Sequence, residues 1–220
     1  MAVSRETFQS ELERLQEDLL RLGTLVEEAI YKAVTALKQQ DADLARQVVE
    51  GDDVLDRMTE EIEGRCLELL ALQQPLARDL RVVGTALKIV TDLERMGDHA
   101  VDIAKVTLRI AGQPFIKPLV DIPRMAEIAR SMLRDCLRAY VNRDVKLAEE
   151  MIERDHEVDH LYNQVFRELL VIMMEDPKTI TQATHLLFVA QYLERIGDHA
   201  TNLAEWVIYM ATGERKELNV

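Results

Sequence analysis

The chain is 220 residues long and carries a net charge of −13 at pH 7, with 48% apolar, 30% charged and 5% aromatic residues. That length allows one domain or two of about 100–150 residues, and so acidic a chain argues against nucleic acid or an anionic lipid surface as a direct ligand and for a cation or a basic protein surface. Only 8 glycines and 5 prolines interrupt a composition rich in Leu, Ala, Glu, Arg and Val, which favours helix over sheet.

The first predicted helix covers about residues 5–39, where Leu12, Leu15, Leu19, Leu22, Val26, Ala29, Ala33 and Leu37 recur three or four apart as a bundle seam. Its start is amphipathic and acidic, unlike a signal peptide. No apolar run anywhere approaches the ~20 residues of a membrane span, so direct membrane insertion is not expected. Asp41 is the expected N-cap of a second helix that ends near Leu72. Pro75 is placed in the first turn of a third helix reaching Ile110. The stretch GQPFIKPLVDIP, at 112–123, holds three of the five prolines and reads as a seam. Beyond it the expected helices cover 122–141, 144–175 and 177–212, with Asp144 as one cap and Asp176-Pro177 opening the last. Gly112 and Gly213 are expected to end the two third helices.

The chain repeats itself. LERMGDHA at 93–100 returns as LERIGDHA at 193–200, an offset of 100, and residues 26–56 match 129–159 at an offset of 103. Asp41, Leu44, Ala45, Asp52 and Asp56 meet Asp144, Leu147, Ala148, Asp155 and Asp159. The expected architecture is all-α: two tandem pseudo-symmetric three-helix bundles, residues 1–115 and 118–220, whose short turns make sequential helices antiparallel.

Carboxylates occupy matching places in both halves. At 100° per residue, Glu94 falls on the stripe of Val83, Leu87, Val90, Val101 and Leu108, with Asp98 one turn on at its edge and Asp102 continuing outward. Asp52 falls among Ala45, Val48, Cys66 and Leu70, with Asp56 four residues on. Glu194 and Asp198 follow Leu187 and Ala190, and Asp155 and Asp159 follow Met151. In an antiparallel hairpin, residues equidistant from the turn lie side by side. Asp52/Asp56 and Glu94/Asp98 are equidistant from Pro75, and Asp155/Asp159 and Glu194/Asp198 from Asp176-Pro177. Each bundle is therefore expected to gather four carboxylates at one height. Like charges one turn apart repel even when solvated, and burial raises the cost. Relief comes from Arg95 and Arg195 or from a divalent or trivalent cation, since clustered oxygens suit Mg, Mn, Ca or oxidised iron and can hold zinc. Gly97 and Gly197, inside helices, are expected to allow close helix approach or to leave room for an ion.

Other candidates read as structural. Cys66 and Cys136 form no CxxC and are expected to be buried, reduced thiols. His99 and His199, about 140° from the glutamates, read as surface or helix-partner residues. His156, His160 and His185 read as solvated, and Met58, Met96, Met132, Met151, Met173 and Met174 as core filler.

DDVLD at 52–56, QQPLARDLR at 73–81, LERMGDHA, DHEVD at 155–159 and LERIGDHATNLAE at 193–205 together make the chain resemble the PhoU family of bacterial phosphate-transport accessory and regulatory proteins. The resemblance covers nearly the whole chain. It implies two three-helix bundles, a homodimer, and E/D-xxx-D motifs that hold multinuclear iron or zinc in some members. Here those motifs are Asp52/Asp56, Glu94/Asp98, Asp155/Asp159 and Glu194/Asp198, with iron or zinc expected before Mg or Mn. It further implies a cytoplasmic negative regulator of phosphate uptake and of the phosphate-starvation response, which couples the ATPase of an ABC phosphate transporter to a phosphate-sensing histidine kinase. Asn202 stands where the first half has Asp102, so the two clusters are expected to differ.

No nucleophile–base constellation, Gly-rich phosphate loop or DNA-reading basic helix is present, so no enzyme is expected. Two alternatives remain at this level. A ferritin-like di-iron oxidase or iron-storage protein would use Glu-x-x-His pairs, of which there is one, Glu157 to His160. A metal-free scaffold would use the clusters to bind basic partner residues.

Overall fold

The computed structural model describes residues 5–218, and among these every regular element is helical. The first half is α1 (Arg5–Gln39), α2 (Ala42–Gln73) and α3 (Arg78–Ile110), and the second is α4 (Asp121–Asn142), α5 (Val145–Glu149), α6 (Met151–Glu175) and α7 (Ile180–Thr212). Short polar side chains start the helices as expected. Asp41 accepts from the N–H groups of Asp43 and Leu44 at 3.0 and 2.9 Å, and Asp144 from that of Leu147 at 3.0 Å. These bonds satisfy donors that have no partner within the first helical turn.

The boundaries depart from expectation in four places. Pro75 lies outside α3, because Gln74 and Ala77 both take left-handed backbone (φ 44 and 47°) and widen the turn, so that the helix starts at Arg78. The helix expected over 144–175 is broken at Glu150 into α5 and α6. Asp176 caps a single 3-10 turn, Pro177–Thr179, before α7 begins. Gly213 is the C-cap of α7 at φ 83°, but the C-cap of α3 is Ala111, and Gly112 (φ 79°) comes one residue later.

The two bundles lie side by side, with α3 running antiparallel along α7 and α1 antiparallel along α4. Arg81 reaches Gly213, Lys88 sits over Trp206 at 5.7 Å, and His99 stacks on Tyr192 at 5.6 Å. On the other pair of helices, Leu137 covers Gly23 and Glu27 pairs with Arg130 at 3.1 Å. Glu27 and Arg130 are equivalent positions of the repeat, as are His99 and His199, whose rings lie 5.8 Å apart. A pseudo-two-fold axis therefore passes between each pair. Buried apolar side chains from both halves form one continuous core, with the seam leucines Leu15, Leu19, Leu22 and Leu37 inside it. The proline-rich seam is fastened down too. Ile116 N–H donates to Gln182 Oε1 at 2.7 Å, and Gln182 Nε2 donates to the Pro114 carbonyl at 3.0 Å.

Candidate functional site

The α2–α3 hairpin brings its carboxylates together across the two helices. Asp52 is half-buried, and its carboxyl is pushed above the usual range by burial first, then by Asp56 on its own helix and Asp98 on α3, with Lys105 opposing. Glu94 is shifted the same way by burial and by Asp98, against Arg95, with Asp56 and Glu63 across the hairpin adding to it. Asp102 is raised by burial, partly offset by Lys105. Arg95 reaches Asp98 at 3.3 Å, so it shields the cluster only loosely.

The α6–α7 hairpin repeats the arrangement more deeply. Burial, then Asp198 and Asp159, push the Glu194 carboxyl up to about 7, with Arg195 opposing and Asp155 adding. Asp198 is raised by burial and then by Asp159, against His199 and Arg195. Asp155 is buried, 3% exposed, whereas its counterpart Asp52 is half-buried. The glycines show why. A Cβ on Gly197 would stand 3.2 Å from Asp155 Oδ1, while one on Gly97 would stand 3.0 Å from Leu55 Cδ1. The second half thus lays a carboxylate over the bare backbone where the first lays a leucine. Both glycines serve close helix approach.

The eight expected site residues therefore fall in two groups, four per hairpin, and across the helix pairs Asp98 adds to the shift of Asp52, Asp56 to that of Glu94, and Asp159 to those of Glu194 and Asp198. Among the described residues, no three His, Cys, Asp or Glu side chains already stand as a ready-made ion site. The donor set is nonetheless all carboxylate, and burial, then neighbouring carboxylates, raise Asp52, Glu94, Glu194 and Asp198, which suits a hard, oxygen-seeking cation. Side-chain rotation would be needed to bring the oxygens onto one ion.

The relative placement of the halves adds what the wheel missed. A groove of about 720 Å³ runs over the α3–α7 crossing and joins the two clusters. Asp52, Arg95, Asp98, His99, Asp102 and Lys105 wall it from the first half, and Arg195, Asp198, His199 and Asn202 from the second. His199 Nδ1 lies 2.9 Å from Asp92 Oδ1, which Asn202 Nδ2 approaches at 3.4 Å. At the equivalent place in the second half stands Tyr192, so His99 meets a ring instead of a carboxylate. Burial, then His199 and Arg195, lower the His99 pKa to about 4, and its Nδ1 has no hydrogen-bond partner. His99 is thus buried at the helix partner, not on the surface. The repeat matches His99 to His199, but only the packing of the two halves sets their rings 5.8 Å apart.

Two further expectations change. His185 is half-buried with Nδ1 enclosed and unpartnered, not solvated. Met174 is 76% exposed, not core filler. Glu157 and His160 are exposed, and Glu157 pairs with Arg124 at 2.5 Å, so this lone Glu-x-x-His pair does not face the bundle interior as ferritin-like ligands do. Cys66 and Cys136 are buried free thiols, as expected, and burial pushes the Cys66 thiol up to about 12.

Comparison with known proteins agrees with this arrangement. The family model described as "PhoU domain" matches twice, over residues 19–107 and 122–207, one match per bundle. A protein of Clostridium acetobutylicum named "Phosphate-specific transport system accessory protein PhoU homolog" is 46% identical over 99% of this chain and 100% of its own length. One of the same name from Aquifex aeolicus is 46% identical over 93% and 92%. The crystal structure of PhoU from Pseudomonas aeruginosa superposes with a TM-score of 0.91 at 38% identity, covering 94% of this chain and all of that one. The phosphate transport system regulatory protein PhoU from Streptococcus pneumoniae superposes at 0.88 with 32% identity, covering 95% and 99%. With the repeated domain match, near-complete coverage and a shared fold in hand, the chain belongs to the PhoU family.

Proposed function

We propose that the chain is a cytoplasmic accessory regulator of phosphate transport. In this reading it holds back phosphate uptake and the phosphate-starvation response, as an adaptor between the ATPase of an ABC phosphate transporter and a phosphate-sensing histidine kinase. The observation that carries the reading is the near-complete match to relatives named as accessory proteins of phosphate-specific transport. No helix among the described residues is long and apolar enough to cross a membrane, so any contact with a membrane transporter is a docking contact. A homodimer is part of the same proposal, and light scattering of the purified protein tests it.

Asp52, Asp56, Glu94 and Asp98, and in the second half Asp155, Asp159, Glu194 and Asp198, would hold metal ions, iron or zinc before Mg or Mn. A bound cation supplies positive charge that offsets the repulsion within each hairpin. With such a cation held between them, the carboxylates would tie α2 to α3 and α6 to α7 and so fix the walls of the groove over the crossing. No redox or hydrolytic step is assigned to them.

The test is deletion of the gene. Phosphate uptake and a phosphate-starvation reporter should stay active in high phosphate, and the intact gene should restore repression. Normal repression in the deletion strain would overturn the proposal.

A further inference from the structure

His99 and His199 meet where α3 crosses α7, one from each half, with ring centroids 5.8 Å apart and ring planes 35° from parallel. Both rings line the groove over the crossing, whereas Asp92 and Tyr192 do not. His199 Nδ1 lies 2.9 Å from Asp92 Oδ1, and an ionised carboxylate only accepts, so this nitrogen carries the hydrogen. His99 Nδ1 is enclosed by protein. The Nδ1 edges thus turn from the groove and leave the Nε2 edges toward it. Among the described residues neither Nε2 makes a hydrogen bond. His99 is only 9% exposed, and a buried imidazole with both nitrogens unsatisfied is costly unless something else takes up its lone pair.

The two halves keep the imidazole but differ around it. Asp92 stands beside His199, whereas the Tyr192 ring stacks on His99. What the histidines have in common is the edge on the groove. Three residues beyond each of them, on the same side of its helix, Asp102 and Asn202 also line the groove. Lys105 Nζ stands 3.9 Å from Asp102 Oδ1, too far for a hydrogen bond, so this carboxylate is loosely held. Asn202 Nδ2 donates to Asp92 Oδ1 at 3.4 Å, where an aspartate would repel it. One half has kept a carboxylate beside its histidine, and the other carries an amide that steadies Asp92.

We propose that His99 Nε2, His199 Nε2 and a carboxylate oxygen of Asp102 take one imidazole-seeking divalent metal ion, zinc or one of its kind, which clasps the two bundles together across the pseudo-two-fold axis. Zinc holds an imidazole nitrogen at about 2.0–2.1 Å, which sets the centroids of two rings on one ion about 5–6 Å apart. The observed 5.8 Å falls within that span. A carboxylate on the far nitrogen of a ligating histidine fixes its tautomer and strengthens it as a ligand, and Asp92 holds that position on His199. Asp102 does not already stand with the pair as a ready-made site, and a turn of its side chain away from Lys105 would bring it over. In the groove Asp52, Asp98, Asp102 and Asp198 outnumber Arg95, Arg195 and Lys105, so the local charge favours a cation. Ligand chemistry separates this site from the carboxylate clusters, since imidazole prefers zinc, copper or nickel to magnesium or calcium. So does its place, since each cluster lies within one hairpin and this site joins α3 to α7. The inference stands whether or not the clusters bind metal.

The test titrates Zn²⁺ into the full chain, stripped of metal and labelled with nitrogen-15 at its five histidines. His156 and His160 are exposed one turn apart on α6, a spacing able to hold zinc by itself, so both are changed to Gln in the background used. One equivalent of zinc should move the Nε2 resonances of His99 and His199 together and leave the Nδ1 hydrogen of His199 in place. His199→Gln should weaken zinc binding, read by calorimetry, about tenfold or more, and Asp92→Asn should do so through its hold on His199. The second variant keeps the reading open if the first does not fold. Asp52→Asn with Glu94→Gln, which disables the first carboxylate cluster, should leave the histidine response unchanged. Zinc that moves neither ring, or only one, or that binds both variants as tightly as the parent would overturn the proposal. So would a histidine response lost with the cluster variant, since the rings would then be reporting on an ion held by carboxylates.

Discussion

Asp155 Oδ1 rests over the bare backbone of Gly197, 3.2 Å from where a Cβ would stand, with Val158 Cγ1 at 3.6 Å on the same side. Alanine at this position would gain about 1 kcal/mol of helix propensity. It would also press on a buried carboxylate with little room to yield, and overpacking costs about 1–3 kcal/mol. Gly197→Ala should therefore lower stability by about 1 kcal/mol in urea melts. Gly64→Ala, where nothing lies within 4 Å, should raise it by about 0.5–1 kcal/mol. Equal gains in both variants would show that the contact does not constrain the backbone.

Stability of the metal-free protein should fall as pH rises from about 6.5 to 8, above the range in which His99, lowered to about 4 from 6.5, contributes the opposite slope. The Glu194 carboxyl titrates near 7 in the folded chain, against 4.5 for the ordinary side chain. A raised carboxyl means that the folded state holds a proton which the unfolded state has released. Its contribution is thus fully present below the unfolded value and lost as pH passes the folded one. Discounted for solvent screening at a half-buried site, the loss is on the order of 1 kcal/mol. Urea melts at a series of pH values in chelator measure it, and Glu194→Gln should flatten the slope. Stability that rises across this range would contradict the assignment.

Cation binding should reverse that loss. Elemental analysis after equilibration with iron, zinc, manganese and magnesium should find stoichiometric metal in the native chain. The amount should fall when Asp52 and Glu94, or Asp155 and Glu194, are changed to Asn and Gln. At a hundredfold excess over Kd, binding should add about 2.7 kcal/mol of stability. No metal in the native chain would leave the clusters as docking sites for basic side chains.

Gln182 should behave as a structural fastener. It is buried, and its amide both accepts from Ile116 N–H and donates to the Pro114 carbonyl. Gln182→Ala leaves both backbone groups short of a partner, which costs about 1–3 kcal/mol. Hydrogen exchange at Ile116 should speed up with it. An unchanged exchange rate would mean that the seam holds without the amide.

Much of the fold could be read from the chain. The seam of α1 predicted from spacing is the buried one, with Leu15, Leu19, Leu22, Val26, Ala33 and Leu37 all inside. The carboxylate groups were legible because distance from a turn converts sequence position into height in a hairpin. Packing between the halves was not, since it joins residues about a hundred positions apart and no local pattern encodes it. His99 read as either a surface or a helix-partner residue because the wheel shows a polar face without showing that α7 covers it. Asp52 and Asp155 looked equivalent because the repeat aligns them, yet Leu55 covers Gly97 in one half and Asp155 covers Gly197 in the other. Met174 looked like core because an apolar side chain is assumed to be covered.

Glu27 and Arg130 hold the same place in the two repeats, yet one is an anion and the other a cation, and they meet at 3.1 Å. Had the halves stayed identical, the axis between them would set a charge against its own kind. Two first halves laid together would oppose Glu27 to Glu27, and two second halves would oppose Arg130 to Arg130. Such a contact rewards the mixed pair and penalises either matched one. The divergence of Glu27 from Arg130 thus turns a place where the axis would set like against like into an attraction between the two halves.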